Sequence, residues 1–293
     1  MKILTRDKFV FAMGTSHEPV LKVDPGESLQ IETEDCFSYL ITEPDDSVEE
    51  NVDFAKVNPA TGPIFVNGAQ PGDLLKVTIK NIEPDVQGVS IVMKGLGVLG
   101  HKVENSQVEI IPIKDGYAEF AGQKLACRPM IGVIGVAPAE GEVLNGTPGD
   151  HGGNMDTVDV CAGSTIYLPV FVEGAYFALG DAHAVMGNGE VCGTGVECRS
   201  VVDLTIDIDR EHDWRIPVIE TEDNFYFVGS GETLDRAVEK ATDEAVAFLA
   251  ETNKISWNTA YMLASLALNV IVSQAVNPLK TARVQLPKSL LKM

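Results

Sequence analysis

Asp24-Pro25-Gly26-Glu27-Ser28-Leu29-Gln30-Ile31-Glu32-Thr33-Glu34 carries the pattern that decides the fold. Its first four residues read as a turn. Pro25 fixes φ at the second position, and Gly26 accepts the positive φ that a type II turn requires at the third. From 29 to 34 apolar and polar residues alternate, so one face of an extended strand is buried and the other is wet. The same unit recurs at Gln70-Pro71-Gly72-Asp73, which feeds an alternating run over 75–79. Residues 108–113 and 204–208 alternate in the same way. A third turn of this type, Thr147-Pro148-Gly149-Asp150, leads instead into a glycine-rich segment. Short strands and turns at regular spacing, with few helical patterns, predict a mainly β fold over residues 1–228. The expected form is a jelly-roll-like β-sandwich.

Beyond Gly229 the period changes. Leu234, Val238, Ala241, Ala245, Phe248 and Leu249 recur at three- and four-residue steps, one face of a helix over 233–252. Ser256 suits the N-cap of a second helix through Met262, Leu263, Leu266 and Leu268. Val270-Ile271-Val272 reads as a strand before Pro278. Residues 229–293 are therefore expected to form an α/β region packed on the sandwich, with the site carried by 1–228.

The chain has 293 residues, 45% of them hydrophobic and 22% charged, which is an ordinary globular composition. Forty-three acidic side chains against 22 basic ones give a formal charge of -21. That excess argues against nucleic acid and anionic membranes as partners, since both are polyanions. It is compatible with binding cations. Residues 1–10 show no signal-peptide pattern, and the longest apolar stretch, 261–272, is interrupted by Ser265 and Asn269 and is too short to span a bilayer. Five cysteines without a C-x-x-C pair suggest neither a disulfide framework nor a zinc knuckle. The expectation is a soluble cytoplasmic protein.

Chemistry concentrates between Gly141 and Gly195, which hold 12 of the 27 glycines. Two segments stand out there: Gly149-Asp150-His151-Gly152-Gly153-Asn154-Met155-Asp156, and Gly180-Asp181-Ala182-His183 running on to Gly187-Asn188-Gly189-Glu190. Strand-like stretches over 165–172 and 175–179 would anchor both loops close together. Asp181 and His183, two apart, share a strand face. With His151 and Asp156 from the neighbouring loop they make a donor set of two imidazoles and one or two carboxylates, suited to zinc or a similar divalent ion with an open position for water. Glu190, after its Gly-Asn-Gly turn, is placed as a general base beside such an ion. Glu197 is a weaker candidate. The alternative is that the histidines are hydrogen-bonded turn residues and the carboxylates are solvated.

Other signals fall away. Gly95-Leu96-Gly97-Val98-Leu99-Gly100 matches G-x-G-x-x-G, but strand-like residues and Pro112 follow where a dinucleotide motif needs a helix. No G-x-S-x-G elbow or Walker A motif occurs, and Cys161, Cys192 and Cys198 read as small buried residues rather than nucleophiles.

The sequence resembles the acetamidase/formamidase family. The segments that carry the resemblance are Gly62-Pro63-Ile64-Phe65-Val66-Asn67-Gly68-Ala69-Gln70-Pro71-Gly72-Asp73, the two glycine-rich loops, Leu168-Pro169-Val170 with Gly174-Ala175, and Ser273-Gln274-Ala275-Val276-Asn277. Their order and spacing agree over nearly the whole chain. The resemblance implies hydrolysis of short aliphatic amides, such as formamide and acetamide, to ammonia and a carboxylate. It also implies zinc, with calcium as an alternative, and a homodimer. His151, Asp156, Asp181 and His183 match the family's metal positions, and Glu190 its neighbouring acid. Met186 stands where members commonly have Gln, and Asn188 where many have Asp. Asn154, or backbone N–H groups of its loop, would then stabilise the oxyanion. A non-catalytic metal- or ligand-binding sandwich and a hydrolase of a different amide or ester are the competing readings.

Overall fold

A computed structural model describes residues 1–292. Among the described residues the strands form a nine-stranded sheet, an eleven-stranded sheet and a small pair, Ala12–Gly14 with Glu142–Leu144. The turn-and-alternation units become the middle of the first sheet. Strand Glu27–Thr33 pairs with Ser200–Asp209, which runs antiparallel along Leu74–Pro84, which in turn pairs with Thr165–Pro169. Gly26 and Gly72 adopt φ of +84° and +95°, as their turns require.

The inward face of each strand explains the layering. Leu29, Ile31, Ile79, Leu168 and Leu204 of the first sheet pack on Ile64, Ile131, Ile134, Phe177 and Leu179 of the second. Each such side chain contributes about 1.5–3 kcal/mol on burial, and together they hold two sheets face to face as a sandwich.

The C-terminal quarter builds on the outer face of the first sheet. Helix Leu234–Asn253 starts where the Thr233 side chain accepts from the Arg236 N–H, and helix Trp257–Ala267 starts under a Ser256 cap. Their buried alanines, Ala241, Ala245, Ala260 and Ala264, lie against Phe225, Phe227, Val284 and Leu286. Small residues on the helices let the backbones approach closely over the aromatic rings of the sheet. No helix is long and apolar enough to cross a membrane among the described residues.

Three expectations are corrected. The boundary at 228/229 falls inside strand Asn224–Gly231, which pairs with Val218–Glu220 on one side and Lys280–Pro287 on the other. The C-terminal strands extend the first sheet, because main-chain hydrogen bonding runs unbroken through 224–231, and the two helices pack on it as expected. The Thr147–Asp150 turn is not of the expected type. Gly149 does not take a positive φ; Gly152 and Gly153 do, at +95° and +75°. Gly149 and Gly152 instead exchange N–H···O bonds of 2.8 and 3.1 Å, folding the loop back on itself. Finally, the strand expected over 175–179 is Phe177–His183, which carries the Asp181–His183 pair within it.

Candidate active site

Strand register assembles the site. Phe177–His183 lies between Met130–Gly135 and Glu197–Cys198, with His183 directly opposite both Met130 and Glu197. Cross-strand neighbours on one face stand about 5 Å apart, so Glu197 comes to His183: its Oε2 is 2.8 Å from Nε2. Asp181 Oδ1 lies 3.4 Å from the same nitrogen. The Gly195 N–H donates to the other Glu197 oxygen at 2.7 Å, fixing that carboxylate.

Asp156 arrives from the end of the glycine-rich loop and Glu190 from the Gly187–Gly189 turn. Donor atoms of Asp156, His183 and Glu190 lie within 4.8 Å of one another, and so do those of Cys36, Asp181 and Glu197. All six residues are buried. Three of the acids sit at left-handed backbone positions, Asp156 at φ 43°, Asp181 at 56° and Glu190 at 46°. Non-glycine residues avoid that region at a cost of about 1–2 kcal/mol, so the surrounding structure holds these carboxylates where local preference would not.

An asparagine ring supplies that hold. Asn277 Nδ2 donates to Asp156 Oδ2 at 2.7 Å, and Asn58 Nδ2 donates to Asp181 Oδ2 at 3.2 Å. With its amide nitrogen turned to the acids, Asn154 donates to Asp156 at 3.2 Å and to Asp181 at 3.0 Å. Its oxygen then accepts from Asn58 and Asn277. Both Asn154 hydrogens thus have carboxylate partners, and its part here is to position Asp156 and Asp181. Beneath the cluster Gly132 has no room for a side chain. A Cβ there would lie 2.5 Å from Asp156 Oδ1 and 2.6 Å from Asp181 Oδ2.

Burial and mutual repulsion dominate the electrostatics. Burial, reinforced by Asp181, pushes Asp156 up to about 6. Burial and then the Asp156 charge hold Glu190 well above the ordinary carboxylate range. Burial likewise carries Glu197 to about 8. For His183 burial opposes the imidazolium, but Glu197 and Asp181 outweigh it and raise its pKa. Burial keeps the Cys36 thiol far above its usual range, so it is protonated at neutral pH and no nucleophile.

The structure brings Asp156, Asp181, His183, Glu190 and Asn154 together. His151 is not among them: no three-donor set includes it among the described residues. His151 sits in the turn closed between Gly149 and Gly152, ahead of strand Gly152–Asn154, whereas Asp156 follows that strand. The imidazole is buried with its Nε2 unpartnered, and burial lowers its pKa to about 4. Asn188 also faces elsewhere, its Oδ1 accepting from the buried Arg283 at 2.8 Å.

Sequence reading missed Asn58, Cys36, Gly132 and Asn277 as site residues and ranked Glu197 low. Asn277 belongs to the segment following strand Asn269–Gln274. That strand anchors the Glu190 turn as well, since the Gly189 N–H donates to Ser273 O and the Ala275 N–H to Gly189 O. The C-terminal quarter is thus part of the site.

A cavity of about 260 Å³ opens onto this centre. Asn154, Asp181, Glu190 and Glu197 line its polar end, while Phe37, Ile91, Leu96 and Val276 are among its apolar walls.

Fold and site together define a mainly β protein with a buried acid–imidazole centre at the bottom of a small-molecule pocket. The model of the acetamidase/formamidase family matches residues 16–146 and 145–293, and the chain belongs to that family. An acetamidase of Bacillus halodurans superposes with a TM-score of 0.95 at 42% identity, over 98% of this chain and 97% of that one. A predicted acetamidase/formamidase of Thermoanaerobacter tengcongensis does so with a TM-score of 0.95 at 45% identity, over 99% and 96%. The acetamidase of Mycolicibacterium smegmatis is 28% identical over 253 residues, 64% of this chain and 62% of that protein. The matched region spans about 60% of the length of the curated relatives.

Proposed function

We propose that the protein is a metal-dependent amidase that cleaves short linear amides to ammonia and a carboxylate. The observation that carries the reading is the buried cluster itself. Asp156, Asp181, Glu190 and Glu197 surround one imidazole, and no Lys or Arg contacts any of them among the described residues. His183 Nδ1 is buried without a hydrogen-bond partner. A set of hard oxygen donors with one nitrogen fits a divalent cation, zinc first and calcium second. Asp156 and His183, whose donor atoms lie within 4.8 Å of each other, would hold it, with Asp181 beside His183. Such an ion, when bound, polarises the amide carbonyl and lowers the pKa of water towards 7.

The chain's own groups do the rest. Glu190 lines the cavity and takes the proton of the attacking water. It then returns that proton to the departing nitrogen, so that water and amide give a carboxylic acid and ammonia, which separate as carboxylate and ammonium at neutral pH. Its raised pKa suits both halves of the task, because a base that is too acidic cannot give the proton back. Asn154, Asn58 and Asn277 keep the carboxylates in register. A substrate as small as acetamide offers little remote surface from which binding energy can be drawn, so stabilisation has to act at the reacting atoms.

The test is elemental analysis joined to an ammonia-release assay on formamide and acetamide. Purified protein is expected to hold near-stoichiometric zinc or another divalent metal, and chelation to abolish turnover. Glu190→Gln should keep the metal and lose roughly 10²–10⁴-fold in rate. Full turnover by metal-free protein would end this mechanism.

A further inference from the structure

We propose that the site takes uncharged amides with an extended apolar acyl group, of about C4 to C6 or a single aromatic ring, in preference to formamide and acetamide. The inference rests on the amidase reading above and deepens it. The cavity of about 260 Å³ holds roughly nine water-sized atoms at about 30 Å³ each. Acetamide fills less than half of that.

The lining presents more apolar than polar surface. The acids of the lining, Asp181, Glu190 and Glu197, are buried, and its apolar residues include Phe11, Phe37, Phe54, Leu96, Leu144 and Val276, with Asn145, Thr147 and Thr194 beside them. Phe54 is 45% exposed and Leu144 57% exposed, so the mouth presents apolar surface to water in a chain of net charge -21. Formamide would leave that collar wet. An alkyl or aryl group on the carbonyl carbon would cover it while the amide reaches Glu190. None of the lining residues is Lys, Arg or His. An acyl chain ending in a carboxylate therefore finds no partner among them.

The specificity is fixed from two distant parts of the chain. Phe54 belongs to the short helical turn Phe54–Lys56, and Leu144 ends strand Glu142–Leu144. Neither belongs to the acid cluster, so the collar can set acyl length without altering the reacting groups.

The experiment measures kcat/KM for ammonia release by the metal-loaded protein along formamide, acetamide, propionamide, butyramide, valeramide and hexanamide, with benzamide and succinamate alongside. Burial of each methylene is expected to raise kcat/KM about fourfold from acetamide to valeramide. Benzamide should be turned over, and succinamate should fall at least tenfold below butyramide. Leu144→Asp, a change at an exposed rim position, should lower the hexanamide-to-formamide ratio of kcat/KM about tenfold. Because that readout is a ratio on one preparation, loss of folded protein cancels from it. Efficient formamide and acetamide hydrolysis that declines along the series would overturn the acyl preference and leave the amidase reading intact. An unchanged ratio in Leu144→Asp would do the same. Failure to release ammonia from every amide would overturn both.

Discussion

Gly132→Ala tests the floor of the site with a single methyl group. Gly132 lies on strand Met130–Gly135 and has an ordinary backbone conformation, so alanine carries no dihedral penalty there. The cost is steric. The added Cβ would meet Asp156 Oδ1 at 2.5 Å, Asp181 Oδ2 at 2.6 Å and the Asp181 carbonyl oxygen at 2.9 Å, where ordinary contact begins at 3.4 Å. Each carboxylate must therefore retreat by close to an ångström, away from Asn277 and Asn154 for Asp156 and from Asn58 and Asn154 for Asp181. A displacement of about 1 Å at catalytic groups costs about 100-fold in rate. Overpacking a buried strand costs about 1–3 kcal/mol in stability. The assay pairs urea denaturation with amide turnover and metal content. Gly26→Ala provides the contrast: nothing lies within 4 Å of its added Cβ, but φ is +84°. It should lose about 1–2 kcal/mol from the backbone alone and keep wild-type turnover. Wild-type turnover and stability in Gly132→Ala would refute the reasoning that a bare backbone is needed under the two acids.

Two more outcomes follow from buried charge. His151, held near 4 by burial against 6.5 when free, binds fewer protons folded than unfolded between those values. It therefore contributes stability that is fully present above pH 6.5 and is lost as pH falls towards 4, up to about 3 kcal/mol. His151→Gln should flatten urea-measured stability across that window and retain bound metal, whereas His183→Ala should lose the metal. Arg283 is 1% exposed and bonds Asp159, Ser273 and Asn188 at 2.8, 3.1 and 2.8 Å. Arg283→Ala should destabilise the protein by about 3–5 kcal/mol by leaving Asp159 short of its buried partner. It should also lower turnover, because the Glu190 turn is moored through Asn188.

Much of the fold was legible because local periodicity reports which face of an element is buried. The alternation over 29–34 and 75–79, the helix stripe from Leu234 to Leu249 and the cap at Ser256 all correspond to observed elements. The Asp181–His183 pair was legible for the same reason, since two residues apart on a strand means one face. What local pattern cannot carry is pairing between distant segments. Glu197 reaches His183 only through the register of two strands, and Asn58 and Asn277 stand 123 and 121 positions from the acids they bind. Gly132 gives no sign of its role because the atoms that exclude its side chain come from other strands and loops. His151 misleads for the opposite reason. Its neighbourhood is rich in ligand-type residues, but His151 itself lies in the turn ahead of the strand that leads to Asp156.

The arrangement of the acids bears on why the cluster tolerates so much cost. Three left-handed carboxylates at about 1–2 kcal/mol each, together with the desolvation of four acids, would not persist in a sandwich that merely needed a filled interior. Apolar residues in the same positions would be more stable, as replacement of buried ion clusters generally shows. The asparagines compensate by hydrogen bonding, but they are neutral and leave the charge unanswered. The nearby guanidinium, Arg283, is committed to Asp159 and Asn188. The raised proton affinities of Asp156, Glu190 and Glu197 express that deficit. Either protons or a cation must supply the missing positive charge. A cation would displace the protons and leave Glu190, which faces the cavity, free to exchange its own with a substrate.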